Sequence, residues 1–128
     1  MEKELLELLN KSYAPYSNFK VASIVTMKDG TTFSGVNVEN ASFGATVCAE
    51  RVAILKAVSN GYRKGDFKSI AIMVDKNKIS SCCFLCRQVM AEFFDLDSEV
   101  VFYNKNLEKQ THKLEELIPF SFDKGDLL

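Results

Sequence analysis

The sequence predicts a three-layer α/β/α sandwich built on a central mixed sheet of about five strands, with helices on both faces. Three observations lead there. Apolar residues make up 47% of the 128-residue chain, enough to fill a core covered on both sides. β-rich runs alternate with helical patterns in the order α-β-β-α-β-α-β. The run Ser69–Val74 (Ser-Ile-Ala-Ile-Met-Val) is apolar almost throughout, the pattern of a strand buried on both faces. No repeat, low-complexity tract or Pro/Gly-rich linker divides the chain, so residues 1–128 are expected to form one domain.

Each element has a local reason. Leu5, Leu6, Leu8 and Leu9 recur at helical spacing, which predicts a helix over residues 2–12. Tyr13-Ala14-Pro15-Tyr16-Ser17-Asn18-Phe19 reads as an aromatic-rich turn. Lys20–Met27 is rich in β-branched residues, Asp29-Gly30 is a hairpin signal, and Thr32–Val38 reads as the returning strand. Thr46–Asn60 suits a helix that is nearly apolar and therefore packed on a sheet, with Gly61 as its stop. Cys83–Phe94 reads as a further helix, Glu99–Tyr103 as a strand, and Lys113–Leu117 as a short helix before Pro119.

Charge narrows the partners. Lys and Arg number 16 against 17 Asp and Glu, so there is no basic footprint for a polynucleotide and no polybasic reason to sit on a membrane. A small, weakly charged ligand suits this balance. The start, Met1-Glu2-Lys3-Glu4-Leu5-Leu6, carries acids where a signal peptide carries bases, and no segment approaches the roughly 20 apolar residues of a membrane helix. The chain is expected to work in the cytosol. There, clustered cysteines serve as metal ligands or catalytic thiols more often than as disulfides.

Two short pieces carry chemistry: Cys48-Ala49-Glu50 and Cys83-Phe84-Leu85-Cys86, each where a loop runs into a predicted helix. Positions i and i+3 share a helical face, so both sulfurs of Cys83 and Cys86 can reach one ion. Thiolates are the binding form, and helix N-termini favour negative charge. Cys48 would complete a site of three protein ligands and one open position, the pattern of catalytic zinc. Glu50 can then stand beside the open position as a proton shuttle, an arrangement known from zinc deaminases. On the cysteines alone, a set of buried thiols or a structural four-cysteine site including Cys82 is also open, although adjacent Cys82 and Cys83 do not easily ligate one ion. Taken singly, Glu50 reads as a first-turn acid favoured by the helix dipole and Arg51 as a surface ion pair. Asn37 and Glu39 read as a solvated strand edge, and Phe19 and Phe122 as core aromatics. His112, the one histidine, sits in a polar stretch and is not assigned to the metal.

Five blocks in order resemble the cytidine deaminase family, specifically its small homotetrameric branch. They are Tyr13–Phe19, Gly35-Val36-Asn37-Val38-Glu39-Asn40-Ala41-Ser42-Phe43-Gly44, Cys48-Ala49-Glu50-Arg51, Cys83-x-x-Cys86-Arg87-Gln88-Val89 and Pro119-x-x-Phe122. The resemblance implies that Cys48, Cys83 and Cys86 bind one Zn²⁺ per subunit, and that Glu50 moves protons between water, the pyrimidine ring nitrogen and departing ammonia. It implies that Asn37 and Glu39 hold the ribose hydroxyls, that Phe19 packs on the base, and that the backbone at Ala49 meets the base edge. Ala41, Phe43 and Phe122 would line a neighbouring subunit's pocket in a homotetramer with shared sites. Arg51 would donate to a zinc-bound sulfur, offsetting the net charge of three thiolates on Zn²⁺.

The pattern also bends. The family's usual piece is Ser-Pro-Cys-Gly-x-Cys; here Cys82 replaces the proline and Phe84 the glycine. A bulky residue at 84 is expected to crowd the metal or shift the helix start. Lys20 and Ala22 replace a common Pro and Gly, and Phe43 replaces a frequent tyrosine. The implied activity is zinc-dependent hydrolytic deamination of cytidine and 2′-deoxycytidine to the uridine counterparts with release of ammonia, in pyrimidine salvage. The rival readings are a deaminase of another cytosine nucleoside, such as a blasticidin-type antibiotic, and a non-catalytic zinc-binding module of the same fold.

Overall fold

The leucine spacing near the start forms helix α1, Glu2–Leu9, in the computed structural model, which describes residues 1–127. Leu5 and Leu9, one turn apart, are its buried pair. Strands β1, Val21–Met27, and β2, Thr32–Val36, form an antiparallel hairpin. At its turn Gly30 takes φ +92° and Asp29 Oδ1 accepts from Thr31 N at 2.9 Å. Helix α2, Ala49–Ser59, leads to β3, Phe67–Val74, and helix α3, Phe84–Phe93, leads to β4, Phe94–Tyr103. Strand β5, Lys109–Lys113, and the short helix α4, Leu114–Leu117, complete the main elements.

The strands pair in the order β2-β1-β3-β4-β5, with β3 and β4 parallel and the other neighbours antiparallel. A parallel pair needs a crossover, and α3 supplies it. Strand β3 is central and sends alternate residues to opposite sides. Ala71 and Met73 join Leu5, Leu9, Ala22, Ile24 and Tyr103 beneath α1. Ile70 and Ile72 join Ala53, Ile54, Ala57, Cys86, Met90, Leu114 and Leu117 beneath α2, α3 and α4. Both faces of the sheet are thus covered, and the layering is the expected α/β/α sandwich.

Helix α1 ends at Leu9 rather than residue 12, β2 at Val36 rather than Val38, and β3 starts at Phe67 rather than Ser69; three further differences have a physical reason. Helix α2 starts at Ala49, because Val47 is extended and pairs with Val38, while Cys48 keeps ψ at 152° as the N-cap. Strand β4 starts directly at Phe94, whose ψ of 155° ends α3. The fifth strand, Lys-Gln-Thr-His-Lys, has no apolar alternation to reveal it. As an edge strand it needs only the ladder to β4, and His112 alone turns partly inward, edge-on to Phe102 at 5.9 Å and 2.9 Å from Glu116 Oε2. Among the described residues, no helix is long and apolar enough to cross a membrane.

One glycine decides where α2 sits. A Cβ built on Gly35 of β2 would lie 2.5 Å from the Ala49 carbonyl oxygen and 2.6 Å from the Ala53 nitrogen. The helix backbone therefore rests directly on the strand backbone, at the turn that carries Cys48 and Glu50. Replacing Gly35 by Ala should lower stability by about 1–3 kcal/mol, the usual cost of overpacking, read as a lower urea midpoint against wild type.

Candidate active site

Two helix starts face each other across the carboxyl ends of β2 and β3, the crevice where α/β sheets commonly bind ligands. Cys48 caps α2 and Cys83 caps α3. Cys83 Sγ accepts from Cys86 N at 3.4 Å, so the thiol stands where the first turn offers a free N–H. The sulfurs of Cys48, Cys83 and Cys86 all lie within 4.8 Å of one another, with 3.8 Å from Cys48 to Cys83 and 3.4 Å from Cys83 to Cys86. Tetrahedral thiolate sites with metal–sulfur bonds of about 2.3 Å place their sulfurs about 3.8 Å apart. The donor set is soft and compact, and it fits zinc.

Cys48 and Cys86 are shifted in opposite directions. Cys48 is drawn down to about 5, first by the Cys86 thiol that donates to it, then by Arg51, against the opposing effect of burial. Cys86 is pushed up by the same shared proton and by its burial. Arg51 Nη2 lies 3.6 Å from Cys48 Sγ and also donates to the Thr46 carbonyl at 3.4 Å. Cys82, by contrast, is packed in the apolar core and pushed up to about 11 by burial. It is a buried thiol rather than a fourth member of the cluster.

Glu50 follows Cys48 by two positions and is 4% exposed. Its Oε1 has no hydrogen-bond partner. Burial raises its carboxyl from 4.5 to about 7. A buried, unpartnered carboxyl beside a thiol triad is costly unless something binds there.

The cavity next to these groups has a volume of about 260 Å³. Of the residues singled out from sequence, Phe19, Asn37, Glu39, Cys48, Ala49, Glu50, Cys82 and Cys83 line it. Cys86 lies behind the other thiols, fully buried. Ala41, Phe43 and Phe122 do not reach this chain's own cavity; all are exposed, Phe43 at 80%. The sequence reading missed Ile72 and Val74, which line the cavity from the same face of β3. Their alternation was the available signal, but which face meets the cavity is set by packing.

Asn37 and Glu39 are already engaged. Asn37 Oδ1 accepts from Ser12 Oγ and from Val21 N at 2.9 Å, and Nδ2 donates to the Phe19 carbonyl at 2.7 Å. Glu39 Oε1 accepts from Tyr16 N at 2.9 Å and Ser17 N at 3.1 Å, and Oε2 accepts from Ser17 Oγ. These bonds fix the Tyr13–Phe19 turn and with it the Phe19 ring. Ser12 and Ser17 were not singled out from sequence; their role arises only from this long-range pairing.

Phe84 does not crowd the site. Its side chain is 76% exposed, with the Arg87 guanidinium 4.3 Å from the ring centroid, and Cys83 still caps α3. At the start of α3 this side chain projects outward and does not line the cavity beside the thiols.

Comparison with known proteins agrees with this geometry. The family described as the cytidine and deoxycytidylate deaminase zinc-binding region matches residues 1–104. A cytidine deaminase of Halalkalibacterium halodurans is 41% identical over 125 residues, covering 98% of this chain and 93% of that protein. A blasticidin-S deaminase of Bacillus cereus is 32% identical over 113 residues, covering 82% and 78%. The crystal structure of cytidine deaminase from Burkholderia pseudomallei aligns with a TM-score of 0.87 at 40% identity, over 95% of this chain and 99% of that one.

Burial of Glu50 has a measurable signature in protein stripped of metal. Below pH 4.5 the carboxyl is protonated folded and unfolded alike, and its ionisation costs nothing. Above about pH 7 it is ionised in both, and the folded state bears the full penalty. Wild type should therefore lose stability relative to Glu50→Gln as pH climbs between these values, by about 3 kcal/mol in total. Paired denaturation curves at pH 4.5 and pH 8 check this; a constant difference would mean that the carboxylate is solvated.

Proposed function

Because the chain belongs to the cytidine and deoxycytidylate deaminase family and is a zinc-binding hydrolytic deaminase, we propose that it converts cytidine and 2′-deoxycytidine to uridine and 2′-deoxyuridine with release of ammonia. The observation that carries this reading is the convergence of three thiols beside a buried, unpartnered glutamate at the end of a nucleoside-sized cavity. Cys48, Cys83 and Cys86 would hold the zinc. When bound, zinc supplies a Lewis acid that brings the ionisation of a water molecule into the neutral range.

The chain's own residues do the rest. Glu50, whose carboxyl burial raises, is placed to both take and return a proton. It takes one proton from the attacking water and passes it to the ring nitrogen, then takes the second proton from the new hydroxyl and passes it to the amino group, so that the C–N bond breaks, a carbonyl forms and ammonia leaves. Arg51, at 3.6 Å from Cys48 Sγ, offsets thiolate charge so that the metal stays electrophilic. Phe19 packs on the base and the Ala49 backbone meets its edge. Asn37 has one amide hydrogen left after its internal bonds, and Glu39 Oε2 retains a free lone pair. Together they fit one sugar hydroxyl, which accepts from Asn37 and donates to Glu39.

The exposed Phe43 and Phe122, at 80% and 56%, support a homotetramer in which these side chains and Ala41 complete a neighbour's site. The absence of a basic excess favours free nucleoside over polynucleotide. The four free thiols suit a reducing cytoplasm, and the activity suits a role in pyrimidine salvage.

Purified protein should release ammonia from cytidine and 2′-deoxycytidine but not from a short single strand, and Glu50→Gln should lose about 10²–10⁴-fold in kcat. A zinc-loaded wild type that turns over neither nucleoside would refute the reading. Light scattering should give a mass of four 14.4 kDa chains; a monomer would refute the shared site.

A further inference from the structure

The ligand Cys83 ends a stretch without helix or strand, residues 75–83, between β3 and α3. The beginning of this stretch is pinned by its neighbours. Lys105 N donates to the Lys76 carbonyl at 3.1 Å, Asn104 Nδ2 to the Asn77 carbonyl at 2.7 Å, and Asn106 Nδ2 to Asn77 Oδ1 at 3.2 Å. The end is held by the packing of Cys82 in the core and by the hydrogen bonds of one side chain. Arg87 Nη2 donates to Ser81 Oγ at 2.8 Å and Nε to the Cys82 carbonyl at 3.3 Å, while Nη1 reaches the Leu117 carbonyl of α4 at 2.9 Å.

Phe84 completes this clamp. It lies one turn before Arg87 on the same face of α3, and its ring covers the guanidinium at 4.3 Å. The ring lies over one face of the guanidinium, and the cation–π contact restricts the guanidinium to one orientation. Three donors aimed at three acceptors need a planar fork; a lysine ammonium cannot reproduce it.

What the clamp holds is the weak point of the metal site. Cys86 is buried and Cys48 half-buried, whereas Cys83 is exposed. Cys83 is therefore the sulfur a competing ligand reaches first, and freedom of the backbone at 81–83 gives it room to leave the metal. We propose that Arg87, ordered by the Phe84 ring, is a positioning residue that fixes residues 81–83 and so sets how slowly the protein releases its zinc. This rests on the reading of Cys48, Cys83 and Cys86 as the zinc ligands. It also gives the bulky residue at 84 a purpose, because the pair secures the same stretch that Cys82, in place of a proline, leaves without a rigid ring.

The test compares wild type, Phe84→Ala, Phe84→Tyr and Arg87→Lys, each loaded with one zinc per chain. Zinc release into excess chelator is followed by a metal indicator, and the thiolate-to-metal charge-transfer bands are recorded after cobalt substitution. Phe84→Tyr should release zinc like wild type. Phe84→Ala should release it about twofold to fivefold faster, as expected for an exposed cation–π contact. Arg87→Lys should be faster by on the order of tenfold or more, with altered cobalt bands. Because Phe84 is a surface residue, its alanine variant tests the proposal even if Arg87→Lys fails to fold. Equal release rates for Phe84→Ala and wild type overturn the proposal, as does faster release that merely follows a loss of assembly in light scattering. A wild type that takes up no zinc overturns the ligand assignment itself, a result distinct from variants that all hold zinc equally well.

Discussion

Three thiols within 4.8 Å of one another are a concentration of potential negative charge that a protein interior does not tolerate without compensation. Much of the structure around them supplies that compensation. Cys48 and Cys83 each cap a helix, so two sets of aligned peptide dipoles point their positive ends at the cluster. Arg51 adds a full positive charge at 3.6 Å, and zinc adds two more when bound. The two helices can face each other only because the sheet order places the ends of β2 and β3 on the same side, with β1 between them.

The precision of this arrangement comes from backbone contact rather than from side-chain filling. Gly35 lets α2 rest on β2 with no side chain between, which sets the depth of Cys48 and Glu50 together. Alanines at 49, 53 and 57 continue the close approach, each with no exposed surface. On the other side of the cavity, Asn37 and Glu39 act as internal cross-links before they act on any ligand. Their bonds to residues 12–21 hold the aromatic turn against the strand end. The same polar groups that would read a sugar hydroxyl are thus preorganised by the fold, which limits the ordering cost of binding.

Glu50 shows how one environment serves two demands. Burial holds its carboxyl near neutrality and leaves an oxygen without a partner, a cost to folding that is useful to proton transfer. Burial acts on Cys82 in the same direction, and pushes it up to about 11. Its thiol is therefore held protonated where the apolar core meets the cavity, although sequence alone makes it a neighbour of the ligands.

Much was legible from the order of residues. Apolar runs and leucine spacing determined which segments become α1, β1, β3 and α2, because burial on a pleated or helical surface imposes periods of its own. The Cys48-Ala49-Glu50 and Cys83-x-x-Cys86 pieces identified the zinc chemistry, because short spacing constrains which atoms can share an ion. Other features were decided only by the tertiary structure. The strand Lys109–Lys113 exists because β4 offers it an unpaired edge, a property of β4 and not of its own polar residues. Phe84 is harmless because packing turns its side chain outward from α3, and it matters because Arg87 stands beneath it. Cys82 is packed, Asn37 is bonded and Glu50 is unpartnered for one common reason. Each depends on what distant segments bring within a few ångströms, and local sequence carries no record of that distance.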